Sequence, residues 1–260
     1  MKRTRKRIGV ALGAGGMRGM AHIGVLQVLE ECGIPIDLVS GASAGAFFGA
    51  AYAAGMDLYA LGAYAVRIVK RDVLDLPNPF RTGLLSGKKF LRLSQIITDN
   101  KTFSETVVPF WCSAVDLESG ETAYLHSGPL CEAVRASIAI PGLLRPVQIG
   151  DRLFIDGGTV ESIPIDILRE NGADAVIGID LSISAPFETK RTNPYRIMFR
   201  SVDIMRTVMD ALLPSRADVL IRPDASFMGR ILPHDAAKCI SVGRAAAVRA
   251  LPEIRRILES

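Results

Sequence analysis

The residues best suited to chemistry in this chain are Gly41-Ala42-Ser43-Ala44-Gly45, a serine with a glycine two positions away on either side. A short apolar run, Ile36 with Leu38 and Val39, precedes it, and an alanine-rich segment with no proline before Pro77 follows. Strand, sharp turn and helix is the setting of a nucleophile elbow, where the turn strains the serine backbone and projects its hydroxyl from the top of a sheet. A Cβ at Gly41 or Gly45 would strike the adjoining strand or helix, so glycine is required at both. The backbone N–H of Ala44, first in the helix, would point to a developing oxyanion. The same five residues also describe an ordinary Gly/Ser turn before a buried helix, so their partners decide between the two.

A serine nucleophile needs a base. His22 falls early in the first helical stretch, His126 ends a hairpin strand and His234 sits in a proline-containing turn, and for each a structural or surface role fits better. A carboxylate serves as base when it lies within hydrogen-bond reach and is shielded from water. Asp156 is the best placed: it ends the apolar run Leu153-Phe154-Ile155, and Gly157-Gly158 after it leave room for close approach. Asp-Gly is equally the mark of an Asx turn. A third element, Gly13-Ala14-Gly15-Gly16-Met17-Arg18-Gly19, joins a strand to a helix and presents N–H groups to an anion or an oxyanion. As a dinucleotide loop counted from Gly13 and Gly15 it carries arginine where the third glycine belongs, and Asp37 begins the second strand instead of ending it. As a P-loop it lacks Gly-Lys-Ser/Thr. An oxyanion loop fits best.

The elements that must position these groups alternate. Arg7 to Leu12 reads as a buried strand, followed by the glycine loop and a helix over 21–32 that Gly33 stops. After the elbow helix come a second helical pattern over 57–70, an irregular stretch over 72–104 holding an amphipathic helix near 88–98, and a hairpin with strands at 107–115 and 121–126. The 72–104 insertion reads equally as a cap over the site or as edge packing. Then follow a helix over 130–140, strands at 147–149 and 153–155, a helix over 164–171, a strand over 175–180, a helix near 199–213, a strand over 218–221 and a terminal helix from Ala236. This order predicts an α/β fold with a parallel-rich sheet covered by helices on both faces. No internal repeat or long linker divides it, so residues 1–7 read as a basic tail and 8–260 as one domain.

Composition narrows the function. The 260 residues are 49% hydrophobic and 22% charged, ordinary for a globular protein with a sizeable core. Lys2, Arg3, Arg5, Lys6 and Arg7 supply five positive charges against a net charge of +4, so the rest of the chain stands near −1 and a nucleic-acid surface is not indicated. The segment after Arg7 is broken by glycines, Arg18 and His22 and is no apolar signal core. No apolar run reaches the roughly 18 residues of a membrane span. Cys32, Cys112, Cys131 and Cys239 are scattered without ligand spacing, which points to free thiols in a reducing cytoplasm and to no metal. Phe187, Tyr195 and Phe199 among Lys190, Arg191 and Arg196 would suit a lipid-facing rim, and equally a solvated loop.

The ordered triple of glycine loop, Gly41-Ala42-Ser43-Ala44-Gly45 and Asp156-Gly157-Gly158 resembles the patatin-like phospholipase family, in particular its small bacterial single-domain members. Ala136-Ser137-Ile138-Ala139-Ile140-Pro141-Gly142 and Val115-Asp116-Leu117-Glu118-Ser119-Gly120-Glu121 resemble that family's segments as well, so the likeness spans roughly residues 8–182. The resemblance implies a three-layer α/β/α sandwich with a mostly parallel central sheet and a serine acyl hydrolase acting on lipid, phospholipid or lysophospholipid esters. It implies Ser43 as nucleophile, Asp156 as base, and an oxyanion hole of Gly15 and Gly16 N–H groups assisted by Arg18. No cofactor or metal is expected, and the expected location is cytoplasmic, with peripheral contact at the inner face of the membrane. A catalytically idle regulator of the same fold that binds lipid or protein is the alternative. One departure stands out: Ala14 occupies a position where the family usually has glycine, which the loop tolerates if φ there is negative.

Overall fold

The computed structural model describes residues 5–259 apart from 69, 74, 76, 78–81, 183–193, 213–215 and 229–234, and apart from the side chains of 70, 71, 194–196, 199, 206 and 210–212. His234, Phe187, Lys190 and Arg191, and the side chains of Tyr195, Arg196 and Phe199, lie outside the described residues. In chain order the elements are β1 (Ile8–Leu12), α1 (Met20–Glu31), β2 (Leu38–Ala42), α2 (Ala44–Ala53), α3 (Leu58–Arg67), α4 (Lys70–Val73) and α5 (Lys88–Ile97). They continue with β3 (Phe110–Asp116), β4 (Thr122–Leu125), α6 (Leu130–Ser137), β5 (Val147–Ile149), β6 (Arg152–Asp156) and α7 (Asp166–Glu170). The last are β7 (Ala175–Ile179), α8 (Pro194–Leu212), β8 (Val219–Ile221) and α9 (Ala236–Glu259).

One sheet runs in the order β5-β6-β3-β2-β1-β7-β8, with β4 also paired to β3. The five strands from β3 to β8 are parallel, while β4, β5 and β6 pair antiparallel. β1, β2 and β7 are buried along their whole length, as parallel strands covered on both faces must be. Their side chains divide by parity. Val10, Leu12, Val39, Ile177 and Ile179 join the large core under α1, α2 and α9, while Ala11, Leu38 and Val176 meet Ile167 and Leu168 of α7 on the other face. The result is a three-layer sandwich.

The register of β3 sets up everything that follows. Ala42 at the end of β2 pairs with Ser113, and the next residue of β3, Ala114, pairs with Asp156 at the end of β6. β4 occupies the opposite edge of β3 over Cys112 to Val115, so β6 must take the edge that β2 has just left. The chain therefore turns out of β2 at Ser43 where β6 delivers Asp156, although the two residues are 113 positions apart.

Several expectations are corrected: β3 begins at Phe110 instead of near 107, α6 ends at Ser137 instead of near 140, and two further cases have a physical reason. α8 begins at Pro194 instead of near 199, since proline fits the first turn of a helix, where its missing N–H has no partner to lose. Arg5 to Arg7 are not a solvated tail: Arg5 pairs with Asp37, Lys6 Nζ donates to the Ile257 carbonyl at 3.0 Å, and the Arg7 N–H donates to Asp174 at 2.7 Å. Asp37 also accepts the Ile8 N–H at 2.8 Å, which commits it to anchoring β1.

Helix α9 crosses α1 at backbone contact. A Cβ on Gly24 would overlap the Ile240 carbonyl, and one on Gly243 would overlap the Ala21 carbonyl. By contrast, a Cβ on Gly62 of α3 would meet side chains no closer than 3.6 Å. Gly24→Ala or Gly243→Ala is expected to cost about 1–3 kcal/mol in urea unfolding, because a backbone neighbour cannot yield. Gly62→Ala is expected to be neutral or stabilising by up to about 1 kcal/mol. Equal effects at the three positions would contradict the close crossing.

Candidate active site

Ser43 sits between β2 and α2 at φ +53°, ψ −116°, a conformation that side chains rarely adopt and that costs on the order of 1–3 kcal/mol. The flanking glycines make room for it. A Cβ at Gly41 would overlap the Gly45 carbonyl, and one at Gly45 would overlap the Leu12 carbonyl, so α2 could not approach β1 and β2. Ser43 is 5% exposed, and its Oγ donates to Asp156 Oδ2 at 2.6 Å.

Asp156 is both things its sequence allowed. It caps a 3-10 turn, Gly157–Thr159, by accepting the Gly158 N–H on Oδ1 at 2.8 Å, which is an Asx-type role. That bond fixes the carboxyl and leaves Oδ2 facing the serine. Gly157 is pressed on Ser113, where a Cβ would overlap the Ser113 carbonyl. The Asp156 N–H donates to the Ala139 carbonyl at 3.1 Å, and the carboxyl is buried at 4% exposure.

The glycine loop lies beside this pair. Gly13 N–H is spent on the Ile179 carbonyl at 3.0 Å and Ala14 N–H on the Ser162 carbonyl at 2.9 Å. The next two N–H groups belong to Gly15 and Gly16, which open a 3-10 turn and have no acceptor within it. Gly16 has φ +59°, a value that favours glycine, whereas Ala14 is not among the residues with positive φ, so alanine is no obstacle there. Gly19 lets the loop approach α2: a Cβ there would come within 2.6 Å of the Ala44 Cβ. Arg18 is buried, and its Nε donates to the Gly15 carbonyl at 3.2 Å, bracing the loop. Ala44, first residue of α2, lines the same space as Gly16 and Ser43.

That space is a cavity of about 750 Å³, its open mouth included, whose walls are almost wholly apolar. Phe47 and Phe48 of α2 form one side, Ile138, Ile140 and Leu144 another, and Phe90 and Leu93 of α5 close over it with Ile68 and Val73. The 72–104 insertion thus supplies part of the wall. Among the described residues no group of histidine, cysteine and carboxylate side chains is arranged to hold a metal. The cysteines form no disulfide, and three of the four are buried. His126 is exposed, with Nδ1 2.9 Å from the Tyr124 carbonyl. The sequence assigned no role to Ser137, whose Oγ accepts the Ser43 N–H at 2.9 Å. Its local signals are a lone hydroxyl among apolar residues at the end of α6 and its place in the family-like segment Ala136 to Gly142.

A three-layer sandwich with a serine elbow, a glycine-rich loop and a facing aspartate defines a class of hydrolase-like α/β proteins, and sequence comparison narrows it. Residues 10–169, which include all three elements, match the family model for patatin-like phospholipases, and the chain belongs to that family. Over 191 residues it is 36% identical to an uncharacterized NTE family protein of Mycobacterium tuberculosis, covering 72% of this chain and 52% of that protein. It is 32% identical over 184 residues to lysophospholipase NTE1 of Debaryomyces hansenii, covering 68% of this chain and 12% of that protein. The chain therefore spans about half the length of the mycobacterial relative and about an eighth of the yeast one. The fold is also that of VipD from Legionella pneumophila, with TM-score 0.54 and 13% identity over 96% of this chain and 67% of VipD. ExoU in complex with SpcU from Pseudomonas aeruginosa gives TM-score 0.52 and 13% identity over 99% of this chain and 53% of that one.

His22 has a structural place in the site. It is fully buried in α1, and its Nε2 lies 2.8 Å from the Gly13 carbonyl, which can only accept, so Nε2 carries the proton. Burial pushes its pKa down from 6.5 to about 4, with the Gly13 hydrogen bond partly opposing. The folded protein thus holds His22 neutral while the unfolded chain takes up a proton below about pH 6.5. Stability contributed by neutral His22 is lost as pH falls from about 6.5 toward 4, by up to roughly 3 kcal/mol. Urea midpoints measured from pH 7 to 4.5 are expected to fall more steeply for the wild type than for His22→Gln, which keeps a donor without a titrating group. Identical slopes would show that His22 does not stay neutral.

Proposed function

We propose that this protein is a serine acyl hydrolase of lipid esters that works through a Ser43–Asp156 dyad. The observation that carries the reading is the 2.6 Å hydrogen bond to the buried Asp156 carboxylate from Ser43 Oγ, a residue that lines an apolar cavity. Ser43 Oγ attacks the ester carbonyl and passes its proton to Asp156 Oδ2. The carbonyl oxygen becomes an oxyanion facing the N–H groups of Gly15, Gly16 and Ala44, where each preorganised donor contributes about 3–4 kcal/mol to the transition state. The tetrahedral intermediate collapses, Asp156 returns the proton to the leaving alcohol or lysolipid, and the acyl group stays on Ser43. Water then gives a proton to Asp156 and attacks the acyl-serine, releasing the carboxylic acid and restoring the Ser43 hydroxyl. Arg18 keeps the oxyanion loop in place through the Gly15 carbonyl.

Release of p-nitrophenol from esters of increasing acyl length tests this reading. Ser43→Ala and Asp156→Asn are each expected to lower kcat by about 10⁴-fold or more with the fold intact by circular dichroism. Wild-type activity is expected to rise with chain length as the cavity fills. Unchanged turnover by folded Ser43→Ala would contradict the mechanism.

The substrate class implies work at a lipid surface, and α8 supports peripheral contact there. Ile197, Ile204, Met205 and Val208 fall on one arc of that helix and have half or more of their surface exposed. Met198 of the same helix packs over Gly142, within 2.7 Å of where a Cβ would lie, and Leu143 and Leu144 next in sequence line the cavity. Met198 thus joins α8 to the segment that lines the cavity, and Arg200 borders the exposed arc. Among the described residues no helix is long and apolar enough to cross a membrane, so contact through α8 would be interfacial. The double variant Ile204→Asp/Val208→Asp is expected to hydrolyse a soluble short-chain ester like the wild type. Its sedimentation with phosphatidylglycerol-containing vesicles should drop at least tenfold. Equal vesicle binding by the two proteins would remove α8 from the account.

A further inference from the structure

We propose that Ser137 is a positioning residue for acyl transfer, which holds the nucleophile's backbone while the segment it begins holds the base. The inference rests on the Ser43–Asp156 reading and adds to it a device that keeps the two in register. Ser43 follows the last paired residue of β2, so its buried N–H has no strand partner, and an unsatisfied buried N–H is costly. The Ser137 Oγ accepts it at 2.9 Å. Two residues later, the Ala139 carbonyl accepts the Asp156 N–H at 3.1 Å. Residues two apart are separated by at most ~7 Å of chain, so this short stretch at the end of α6 ties both members of the dyad to one another through their main chains. The 2.6 Å side-chain bond then closes a ring that is already fixed at two points.

The surroundings of Ser137 fit a hydroxyl placed to accept. Beside it lies Cys112, the β3 residue that pairs with Gly41 of the elbow. Cys112 Sγ donates to the Ala133 carbonyl at 3.3 Å, and burial pushes that thiol up to about 12, so it keeps its proton. The Ser43–Ser137 bond also removes the Ser43 N–H from the oxyanion hole, which leaves Gly15, Gly16 and Ala44 as the donors. Ile138, between the two anchoring residues, lines the acyl cavity, so the stretch that aligns the dyad also forms part of the wall the acyl chain contacts.

Ser137→Ala and Ser137→Thr separate positioning from packing. Both are assayed with a soluble p-nitrophenyl ester beside the wild type, with thermal melting as the check on folding. Ser137→Ala is expected to lower kcat about 10- to 100-fold with KM within about twofold, because one buried donor loses its acceptor while the cavity is unchanged. Ser137→Thr retains the oxygen and is expected to recover most of kcat. If folded Ser137→Ala matches an active wild type in kcat, or loses kcat only in proportion to its folded fraction, the inference is overturned and the dyad reading survives. A wild type without turnover overturns both.

Discussion

A serine held at φ +53° is the constraint on which the rest of the molecule depends. Its strain is sustained by contacts that admit few substitutions. Gly41 and Gly45 let α2 press on β1 and β2, Gly19 lets the glycine loop press on α2, and Ser137 accepts the amide that β2 can no longer pair. Strain of this kind persists when surrounding structure over-determines it, and here the contacts come from the strand and glycine loop over 8–19, the elbow itself and the end of α6. The parallel sheet supplies the frame. Its central strands are buried on both faces, so β1 and β2 cannot shift to relieve the turn.

The same sheet accounts for the proposed use of an aspartate where a histidine is often found. β3 is shared along one edge by β2 and β6, and the handover falls between Ser113 and Ala114. A short side chain at the end of β6 then reaches the serine directly. The capping bond from Gly158 orients the carboxyl, so no third side chain is needed for that purpose. His22, the histidine nearest in function, is instead a buried neutral support beneath the glycine loop.

Much of this was legible in the sequence because it is encoded locally. The elbow, the glycine loop and Asp156-Gly157-Gly158 each read from a few adjacent residues, and the alternation of apolar runs gave the layered α/β order. The Asx-turn reading of Asp156 is compatible with its hydrogen bond to Ser43, since one oxygen serves each. What was not legible depends on contacts between distant segments. Ser137 lies 94 residues from Ser43, and nothing in its family-like segment says which group its hydroxyl meets, while the anchoring of Arg5 to Arg7 depends on Asp37 and Asp174, which only the fold brings near. The start of α8 differs for another reason: proline reads as a helix breaker, although it is well suited to the first turn of a helix.

The most direct test of the central claim is covalent capture of the nucleophile. The protein would be treated with a long-chain fluorophosphonate, digested and mapped by mass spectrometry. The account expects one adduct per chain on Ser43, formed far more slowly in Asp156→Asn, with the alkyl chain protecting the α5 side of the cavity from surface labelling. A folded protein that reacts at another serine, or that labels Ser43 equally fast without the Asp156 carboxylate, would contradict the dyad.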